Sequence, residues 1–407
     1  MKDGGPSPLP PLSMEQQQCM GRYRQNRLRK LLDASECDGL LLLDPMNVRY
    51  ATGTRNQQVF NMHLPARYAL MVAGGPTLLF EFPGTRHVAL DSVEYCADEI
   101  CEPILYHSAV LGSRDGTDGK AWAQQIAGCL RTGLHQVPRR LAVDRLDVPG
   151  FTALQAQGLT LVNGESIVQR ARYIKSPDEL HAMRRSVKVC EDAMENMRMA
   201  MQPGMTEQAI WSHLHQSAVA NGAEWFETRL LASGERTNPW FQECGERVVE
   251  EGDIVAFDTD LVGPYGYCAD ISRTWVCGET KATDDQRRLY AFAHERLHAQ
   301  LAAVKAGVEF REFSEHVGQI NQRYLDRRYT VLCHGIGMVD EGPFIPFWED
   351  FERWGNDGRF EVGATVCVEF FAGEVGGKEG VKLEEQIVIT EGGYERLSNY
   401  RYELDWL

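Results

Sequence analysis

Residues 257–275 read FDTDLVGPYGYCADISRTW, and this stretch decides the fold prediction. Residues two apart on a strand point to the same face, so Asp258 and Asp260 are expected to project together from one strand. The glycines and proline of residues 263–266 predict a turn, after which Asp270 returns on the neighbouring strand. Three carboxylates at one place repel one another unless a cation lies between them. The stretch therefore predicts a metal site.

Three further candidate ligands follow downstream: His334 within CHGIG, Glu369 within VEF and Glu384 within KLEE. A buried carboxylate without a partner is costly, so an acidic residue in an apolar strand needs a counter-charge. Each residue taken singly also fits an ordinary core histidine or a strand end in water. The six residues together favour a site for two divalent metals. Oxygen ligands with one imidazole favour iron or manganese, and zinc also fits.

The chain has 407 residues, enough for two or three domains, and a boundary is expected near residues 172–176. There Ser176, Pro177 and Glu179 form a helix start with a capping box. We predict a flexible tail over 1–18, a first domain over 19–173 and a catalytic domain over 174–407. The pattern predicts helices at 22–32, after Ser176 and after Thr206, and strands at 39–43, 68–72, 77–80, 141–143, 159–162, 229–232, 254–260, 271–276, 364–371 and 381–390.

The composition excludes several classes of function. The formal net charge of −16 argues against nucleic acid or an anionic membrane as the main partner, because both require a basic surface. No apolar run approaches the 18 residues of a membrane span, and residues 1–11 do not resemble a secretory signal. The 11 cysteines are odd in number and never form a CxxC pair, which favours reduced thiols and a cytoplasmic location.

Four motifs resemble the creatinase/aminopeptidase, or pita-bread, superfamily: DPMNVRYATG (44–53), IKSPDEL (174–180), HGIG (334–337) and VKLEEQIVIT (381–390). The resemblance implies an α/β (α+β) protein with a creatinase-like N-terminal domain and a C-terminal pita-bread metal-binding domain. It also implies a homodimer in which the N-terminal domain of one chain lies near the site of the other.

Three positions differ from the peptidases of this superfamily. Those peptidases carry a histidine after the proline of an SGxxTxxPH-like stretch, where this chain has Trp240. They carry a second histidine seven residues after the ligand histidine, where this chain has Glu341. The peptidases also lack a ligand at the position of Asp260. This pattern resembles the DddP-type dimethylsulfoniopropionate (DMSP) lyases, a branch that cleaves its small zwitterionic substrate into dimethyl sulfide and acrylate.

The resemblance to this branch implies roles for individual residues. Asp340 is the expected base of a β-elimination, and Glu341 beside it is expected to raise its pKa and to line the substrate site. Tyr329 is the expected substrate-contacting tyrosine. Phe60 and Trp240 are candidate aromatic faces for the sulfonium, although the branch has tryptophan where Phe60 stands. The metal ligands carry over to Asp258, Asp260, Asp270, His334, Glu369 and Glu384.

Three other functions compete with the lyase. An Xaa-Pro aminopeptidase or dipeptidase would use the same metals but needs a histidine donor, for which His63 is the loose candidate. A non-catalytic binding protein on this fold would be expected to have lost metal ligands. The same argument disfavours a metal-free hydrolase of the creatinase type. The sequence therefore favours the lyase first and the peptidase second.

Overall fold

The computed structural model describes residues 9–107 and 117–407. The chain forms two compact units. One unit comprises residues 12–172, and the other comprises residues 173–407 together with residues 9–11. Each unit has its own apolar core.

The N-terminal unit is built on one mixed six-stranded sheet in the order β4-β3-β2-β1-β5-β6. Its strands are β1 (Gly39–Leu42), β2 (Tyr68–Val72), β3 (Thr77–Phe80), β4 (Glu99–Cys101), β5 (Arg140–Val143) and β6 (Thr160–Asn163). Its helices are α1 (Met14–Asp33), α2 (Pro45–Thr52), α3 (Gln58–His63), α4 (Arg86–Leu90), α5 (Thr117–Leu134), α6 (Val148–Gln155) and α7 (Glu165–Tyr173). The central strand β1 is antiparallel to β2 and parallel to β5.

The apolar run GLLL of β1 is buried at every position, as expected of a strand covered on both faces. Trp122 of α5 lies in the core with Leu41 and Tyr68 of the sheet. Short, continuous apolar runs were the signal for these strands, and the five strands predicted for this region all occur within two residues of the expected bounds.

The expected tail over residues 1–18 is wrong for its last part. Helix α1 begins at Met14, where the Ser13 side chain accepts a hydrogen bond from the backbone of Gln16 and the Gln16 side chain completes a capping box. A helix start depends on such local caps, whereas the tail was inferred from polar and Gly/Pro-rich composition. Residues 1–8 lie outside the described residues.

The C-terminal unit combines three antiparallel sheets with helices. Its helices are α8 (Pro177–Ala200), α9 (Glu207–Ala220), α10 (Asp284–Ala303), α11 (Phe310–Val317), α12 (Gln322–Leu325) and α13 (Trp348–Trp354). Its strands are β7 (Trp225–Phe226), β8 (Leu230–Ser233), β9 (Ile254–Asp258), β10 (Asp260–Val262), β11 (Cys268–Asp270), β12 (Arg273–Val276), β13 (Val331–Ile336), β14 (Asp340–Pro346), β15 (Thr365–Gly373), β16 (Gly380–Thr390) and β17 (Gly393–Arg396). The sheets have the orders β11-β10-β7, β12-β9-β8 and β14-β13-β15-β16-β17.

The two predicted helix starts are confirmed. Ser176 caps α8 with the predicted capping box to Glu179, and Thr206 caps α9. The core of this unit contains Leu297 and Leu301 of α10 together with apolar residues of β15 and β16. A helix therefore covers one face of the five-stranded sheet, which fixes the strands that carry several of the predicted ligands.

The strand predicted over residues 254–260 is in fact two strands in different sheets. β9 ends at Asp258 and pairs with β8 and β12, whereas β10 begins at Asp260 and pairs with β7 and β11. The chain changes sheets at the buried Thr259. Continuous alternation along the sequence does not reveal such a change, because both strands keep the same period of two.

Among the helices of the described residues, none is long and apolar enough to cross a membrane.

Candidate metal centre

The strand registers bring the acidic candidates together in pairs. Asp260 stands opposite Asp270 in the β10–β11 pair, and Glu369 stands opposite Glu384 in the β15–β16 pair. Residues directly opposite on neighbouring strands have Cβ atoms about 5 Å apart, so each register juxtaposes two carboxylates. Asp258 reaches the same place from the end of β9.

All six predicted ligands lie in one overlapping cluster of side chains. Its three groups, each with ligand atoms within 4.8 Å of one another, are Asp258 with Glu369 and Glu384, then Asp270 with His334, Cys367 and Glu384, and finally Asp260 with Asp270 and Asp340. Asp270 and Glu384 each belong to two groups. Shared carboxylates between two groups of donors are what a pair of adjacent metal ions would require.

The histidine of the cluster points its Nε2 at carboxylates. Nε2 of His334 lies 3.3 Å from Asp270, 3.5 Å from Glu384 and 3.6 Å from Glu369. Burial alone would lower the pKa of His334, but Asp340, Asp270 and Glu384 raise it well above its usual value. Nε2 of His334 therefore faces the carboxylates that a metal ion bound here would share with it.

Several carboxylate oxygens of the cluster are buried without a hydrogen bond. Oδ1 of Asp258, Oδ1 of Asp260 and Oε1 of Glu384 accept none. Burial raises the pKa of Asp258 and raises that of Asp260 well above its ordinary value, and it raises the pKa of Glu369 to about 8. Buried anionic oxygens that lack donors fit the coordination of hard divalent cations, so the residues present suit metal ions.

One cation of the chain itself lies inside the cluster. Nζ of Lys382 is 2.6 Å from Glu369, 3.0 Å from Glu384 and 3.1 Å from Asp258, and it is fully buried. It also donates to the hydroxyl of Ser272, 2.9 Å away. The three carboxylates outweigh the effect of burial and raise the pKa of Lys382 well above its usual value, so this ammonium stays charged.

The sequence prediction missed Lys382, Cys367 and Ser272. Lys382 stands two residues before Glu384 on β16, and Cys367 stands two residues before Glu369 on β15, whereas Ser272 lies between β11 and β12. The rule that residues two apart on a strand share a face would have found Lys382 and Cys367.

Asp340 differs from the other acidic members of the cluster by its exposure. It is the first residue of β14, and its side chain is 55% exposed. The side chains of the three carboxylates that contact Lys382 are 10% exposed or less. Its Oδ1 lies 3.6 Å from Nδ1 of His334. An exposed carboxylate beside a buried ligand cluster can contact a substrate, whereas the other carboxylates of the cluster are buried.

Contrary to the prediction, Glu341 does not face the ligand cluster. Asp340 and Glu341 are neighbours on β14 and therefore point to opposite faces. Oε2 of Glu341 lies 2.8 Å from Nζ of Lys175, and both side chains are 2% exposed or less. Glu341 thus points away from the ligand cluster, and its negative charge is paired with the ammonium of Lys175.

The predicted aromatic residues divide between the two units. In the C-terminal unit, the rings of Tyr329 and Trp240 have centroids 5.4 Å and 5.9 Å from Nζ of Lys382. Trp240 is buried and stacks on Phe371. Phe60 belongs to the N-terminal unit, where it is 45% exposed and makes an edge contact with Phe82. Two of the three predicted aromatics therefore lie beside the ligand cluster.

Comparison with protein families agrees with this geometry. The model of metallopeptidase family M24 matches residues 181–391, and that of the creatinase/prolidase N-terminal domain matches residues 24–174. The first match contains all six candidate ligands and Asp340.

Two similar proteins are DMSP lyases DddP. That of Roseobacter denitrificans is 38% identical over 94% of this chain and 86% of the relative, and that of Roseovarius nubinhibens is 36% identical over 96% and 88%. Among solved structures, the Xaa-Pro dipeptidase from Bacillus anthracis has a TM-score of 0.74 at 23% identity and covers 94% of this chain and 99% of its own. This structural similarity covers residues of both units, so each unit has the fold of its counterpart in the dipeptidase.

Proposed function

This chain belongs to metallopeptidase family M24, and we propose that it is a metal-dependent carbon–sulfur lyase that converts DMSP to dimethyl sulfide and acrylate. The observation that carries the proposal is Asp340, an exposed carboxylate that forms a group with the buried Asp260 and Asp270. The identity of 36–38% to two DddP lyases over nearly the whole chain supports the same substrate.

The proposed metal ligands are Asp258, Asp260, Asp270, His334, Glu369 and Glu384, which would hold two divalent ions. The donor set of carboxylates with one imidazole favours iron, with manganese or zinc as the alternatives. Metal ions bound here would act as Lewis acids toward the substrate carboxylate and so acidify the adjacent C–H bond. Cys367 belongs to the group of Asp270, His334 and Glu384, and its Sγ donates a hydrogen bond to the backbone carbonyl of Asp270 at 3.9 Å.

Asp340 would act as the base of the elimination. Its carboxylate takes a proton from the carbon next to the substrate carboxylate, and the electron pair of that C–H bond forms the carbon–carbon double bond. The bond from the β-carbon to sulfur breaks, its electron pair leaves with dimethyl sulfide, and acrylate remains. The exposed position of Asp340 suits this role, because the base must reach a bound substrate.

The cationic end of the substrate would lie against aromatic rings. Tyr329 and Trp240 are the candidates beside the cluster, and both already have an ammonium, that of Lys382, within 6 Å of the ring centroid. An aromatic face attracts a cation at such distances, so these rings suit a cationic ligand. Phe60 remains a candidate contact that would come from the N-terminal unit of a partner chain in a homodimer.

The peptidase alternative finds less support in the site. At the two positions where the peptidases carry histidines, this chain has a buried tryptophan, Trp240, and a buried glutamate paired with a lysine, Glu341. Neither side chain can replace the imidazole that serves peptide cleavage. A non-catalytic binding protein is also disfavoured, because all six ligands are retained.

The test is a pair of assays on the purified metal-loaded protein. We expect dimethyl sulfide in the headspace and an equal amount of acrylate after addition of DMSP, and no proline from Xaa-Pro dipeptides. Release of proline without dimethyl sulfide would replace the lyase by the peptidase. Metal analysis should find about two transition-metal ions per chain, and less than one would contradict the dinuclear site. Light scattering should give twice the 45.9 kDa mass of the monomer.

A further inference from the structure

A buried ion pair joins the beginning of the catalytic unit to the strand that carries the proposed base. Nζ of Lys175 and Oε2 of Glu341 are 2.8 Å apart, and their side chains are 2% and 1% exposed. Removing two charges from water costs free energy that their attraction often fails to recover. Net stabilisation is therefore a weak explanation for this pair, and its geometry suggests another.

Glu341 shapes the turn between β13 and β14. One carboxylate oxygen bonds to Lys175, and the other accepts a hydrogen bond from the backbone of Met338 at 3.2 Å. A Cβ atom at Gly337 would lie 2.3 Å from the same carboxylate, so the glycine leaves the room that the carboxylate fills. The turn of residues 337–339 thus folds around the side chain of Glu341.

Lys175 provides a fixed anchor for that carboxylate. Its backbone N–H donates to the carbonyl of Gly363 at 3.0 Å, and its neighbour Ile174 forms a β-bridge with Ala364. The next residue, Ser176, caps α8. Lys175 therefore ties the turn to a helix start and to the beginning of β15.

The hairpin held in this way carries two residues of the candidate site. In the pair β13–β14, Gly335 stands opposite Glu341 and Ile336 stands opposite Asp340. His334 immediately precedes Gly335 on β13. Because side chains alternate along β14, the inward pull on Glu341 directs Asp340 to the opposite face, toward the cluster. A loss of the anchor would let the first residues of β14 move.

We propose that Lys175 and Glu341 form a positioning pair that holds Asp340 at the ligand cluster. This inference rests on the proposed function in so far as Asp340 is the base. The pair acts through the backbone of β14, so its effect is on the placement of Asp340. A displacement of about 1 Å in a reacting group can lower a rate on the order of a hundredfold.

The test separates activity from stability with two variants. Lys175→Met leaves a buried charge on Glu341, so we expect a lower melting temperature and a kcat for acrylate formation reduced at least about tenfold, with KM within about twofold and full metal content. The double variant Lys175→Met/Glu341→Gln removes both charges. We expect it to regain most of the melting temperature while kcat stays reduced, because the anchor is still missing.

The matched control is the pair Arg67–Glu81 of the N-terminal unit, which has the same separation of 2.8 Å and the same exposures of 2% and 1%. Arg67→Met/Glu81→Gln should keep the wild-type kcat. If the Lys175/Glu341 double variant regains wild-type kcat together with stability, the pair is only structural and the proposal is wrong. The proposal is also wrong if Lys175→Met keeps full kcat.

A crystal structure separates this inference from the proposed function. If the wild type forms no acrylate from DMSP, the lyase proposal fails, and the position of Asp340 in the metal-loaded double variant then decides. A shift of the Asp340 carboxylate by about 1 Å or more supports the positioning pair, and a shift below about 0.5 Å overturns it.

Discussion

The two halves of the carboxylate cluster are neutralised in different ways. Asp258, Glu369 and Glu384 surround the ammonium of Lys382, which contacts all three within 3.1 Å. Asp260 and Asp270 lie on the other half with the exposed Asp340. Among the described residues, the ion pairs of that half involve His334 and no lysine or arginine.

This difference separates what the chain stabilises by itself from what it leaves to metal. Lys382 and His334 lower the pKa of Glu384 although burial would raise it, whereas burial and the neighbouring Asp340 and Asp258 raise the pKa of Asp260 well above normal. In the Lys382 half, the pKa of Glu384 is thus low without any added ion, whereas burial still raises the pKa of Asp258 and raises that of Glu369 to about 8. In the Asp340 half, where the substrate would react, the two proposed metal ions would supply the positive charge that no lysine or arginine supplies among the described residues.

Removal of a shared ligand should have the largest effect. Asp270 belongs to two of the three groups, one with Glu384 and one with Asp260, so Asp270→Ala should lose metal and acrylate formation together, by more than about a thousandfold in kcat. Asp258→Ala should behave in the same way. Elemental analysis and the acrylate assay on the same preparation measure both quantities. Two retained metal ions in Asp270→Ala would contradict the shared site.

Removal of the base should affect chemistry alone. Asp340→Ala should lower kcat about a hundredfold to ten-thousandfold, because a base acts in the transition state, and it should leave metal content intact. Comparison of metal content with that of Asp270→Ala distinguishes the two roles. Near-full activity of Asp340→Ala would place the base elsewhere, and the burial of Glu341 against Lys175 excludes that neighbour as its replacement.

Removal of the internal cation should expose the difference between the halves. Lys382→Met leaves three buried carboxylates without their ammonium, so the metal-free protein should lose about 3–5 kcal/mol in free energy of unfolding. Bound metal supplies positive charge to the same oxygens, so the loss should be smaller in the metal-loaded protein. Chemical denaturation with and without chelator measures both values.

The control for Lys382→Met is Lys378→Met, which removes an exposed lysine four residues earlier. It should change stability by less than about 0.5 kcal/mol in either state. An equal loss for Lys382→Met with and without metal would show that the lysine and the metal ions do not share these carboxylates.

The sequence predicted the ligands of both halves better than it predicted their surroundings. Glu369 and Glu384 were identifiable because an acidic residue in an apolar strand needs a partner, and the register of β15 and β16 brings them together. Asp258 and Asp260 were identified on the assumption that they project from one strand, but they lie on strands of two different sheets. The structure brings these candidates together because the chemistry of paired acidic side chains, more than strand geometry, limited the choice, and their role as metal ligands stays a prediction.

Contacts between residues that are far apart in the chain could not be predicted from the sequence. Glu341 and Lys175 are 166 positions apart, and a single sequence does not reveal that they meet. Strand alternation could have shown that Asp340 and Glu341 point to opposite faces, but it could not tell which of them faces the cluster. Lys382 could have been predicted, because the sequence itself shows that it stands two residues before Glu384.

The N-terminal unit contains a carboxylate, that of Asp144, whose partners are uncharged hydrogen-bond donors. Asp144 accepts hydrogen bonds from the backbone N–H groups of Leu43 and Asp44 and from the side chain of Asn47, and so holds the start of α2. It has neither the ammonium of the Lys382 half nor the metal ligands of the other half around it. Burial raises its pKa from 3.8 to about 7 in spite of these donors.

This pKa gives the smallest of the expected effects. A carboxyl whose pKa is higher in the folded state binds more protons when folded, so the free energy of unfolding falls as pH rises from about 4 to about 7. We expect Asp144 to contribute about 2 kcal/mol to that fall, less than its full pKa shift implies, because the half-buried side chain keeps some contact with water. Chemical denaturation at pH 4, 5.5 and 7 in chelator, on wild type and Asp144→Asn, measures the contribution as the difference between their slopes. The neutral amide cannot titrate, so the variant should lose less stability over this range. Parallel slopes would mean that the backbone donors hold Asp144 ionised throughout, and that N–H groups alone can replace the cations on which the catalytic cluster depends.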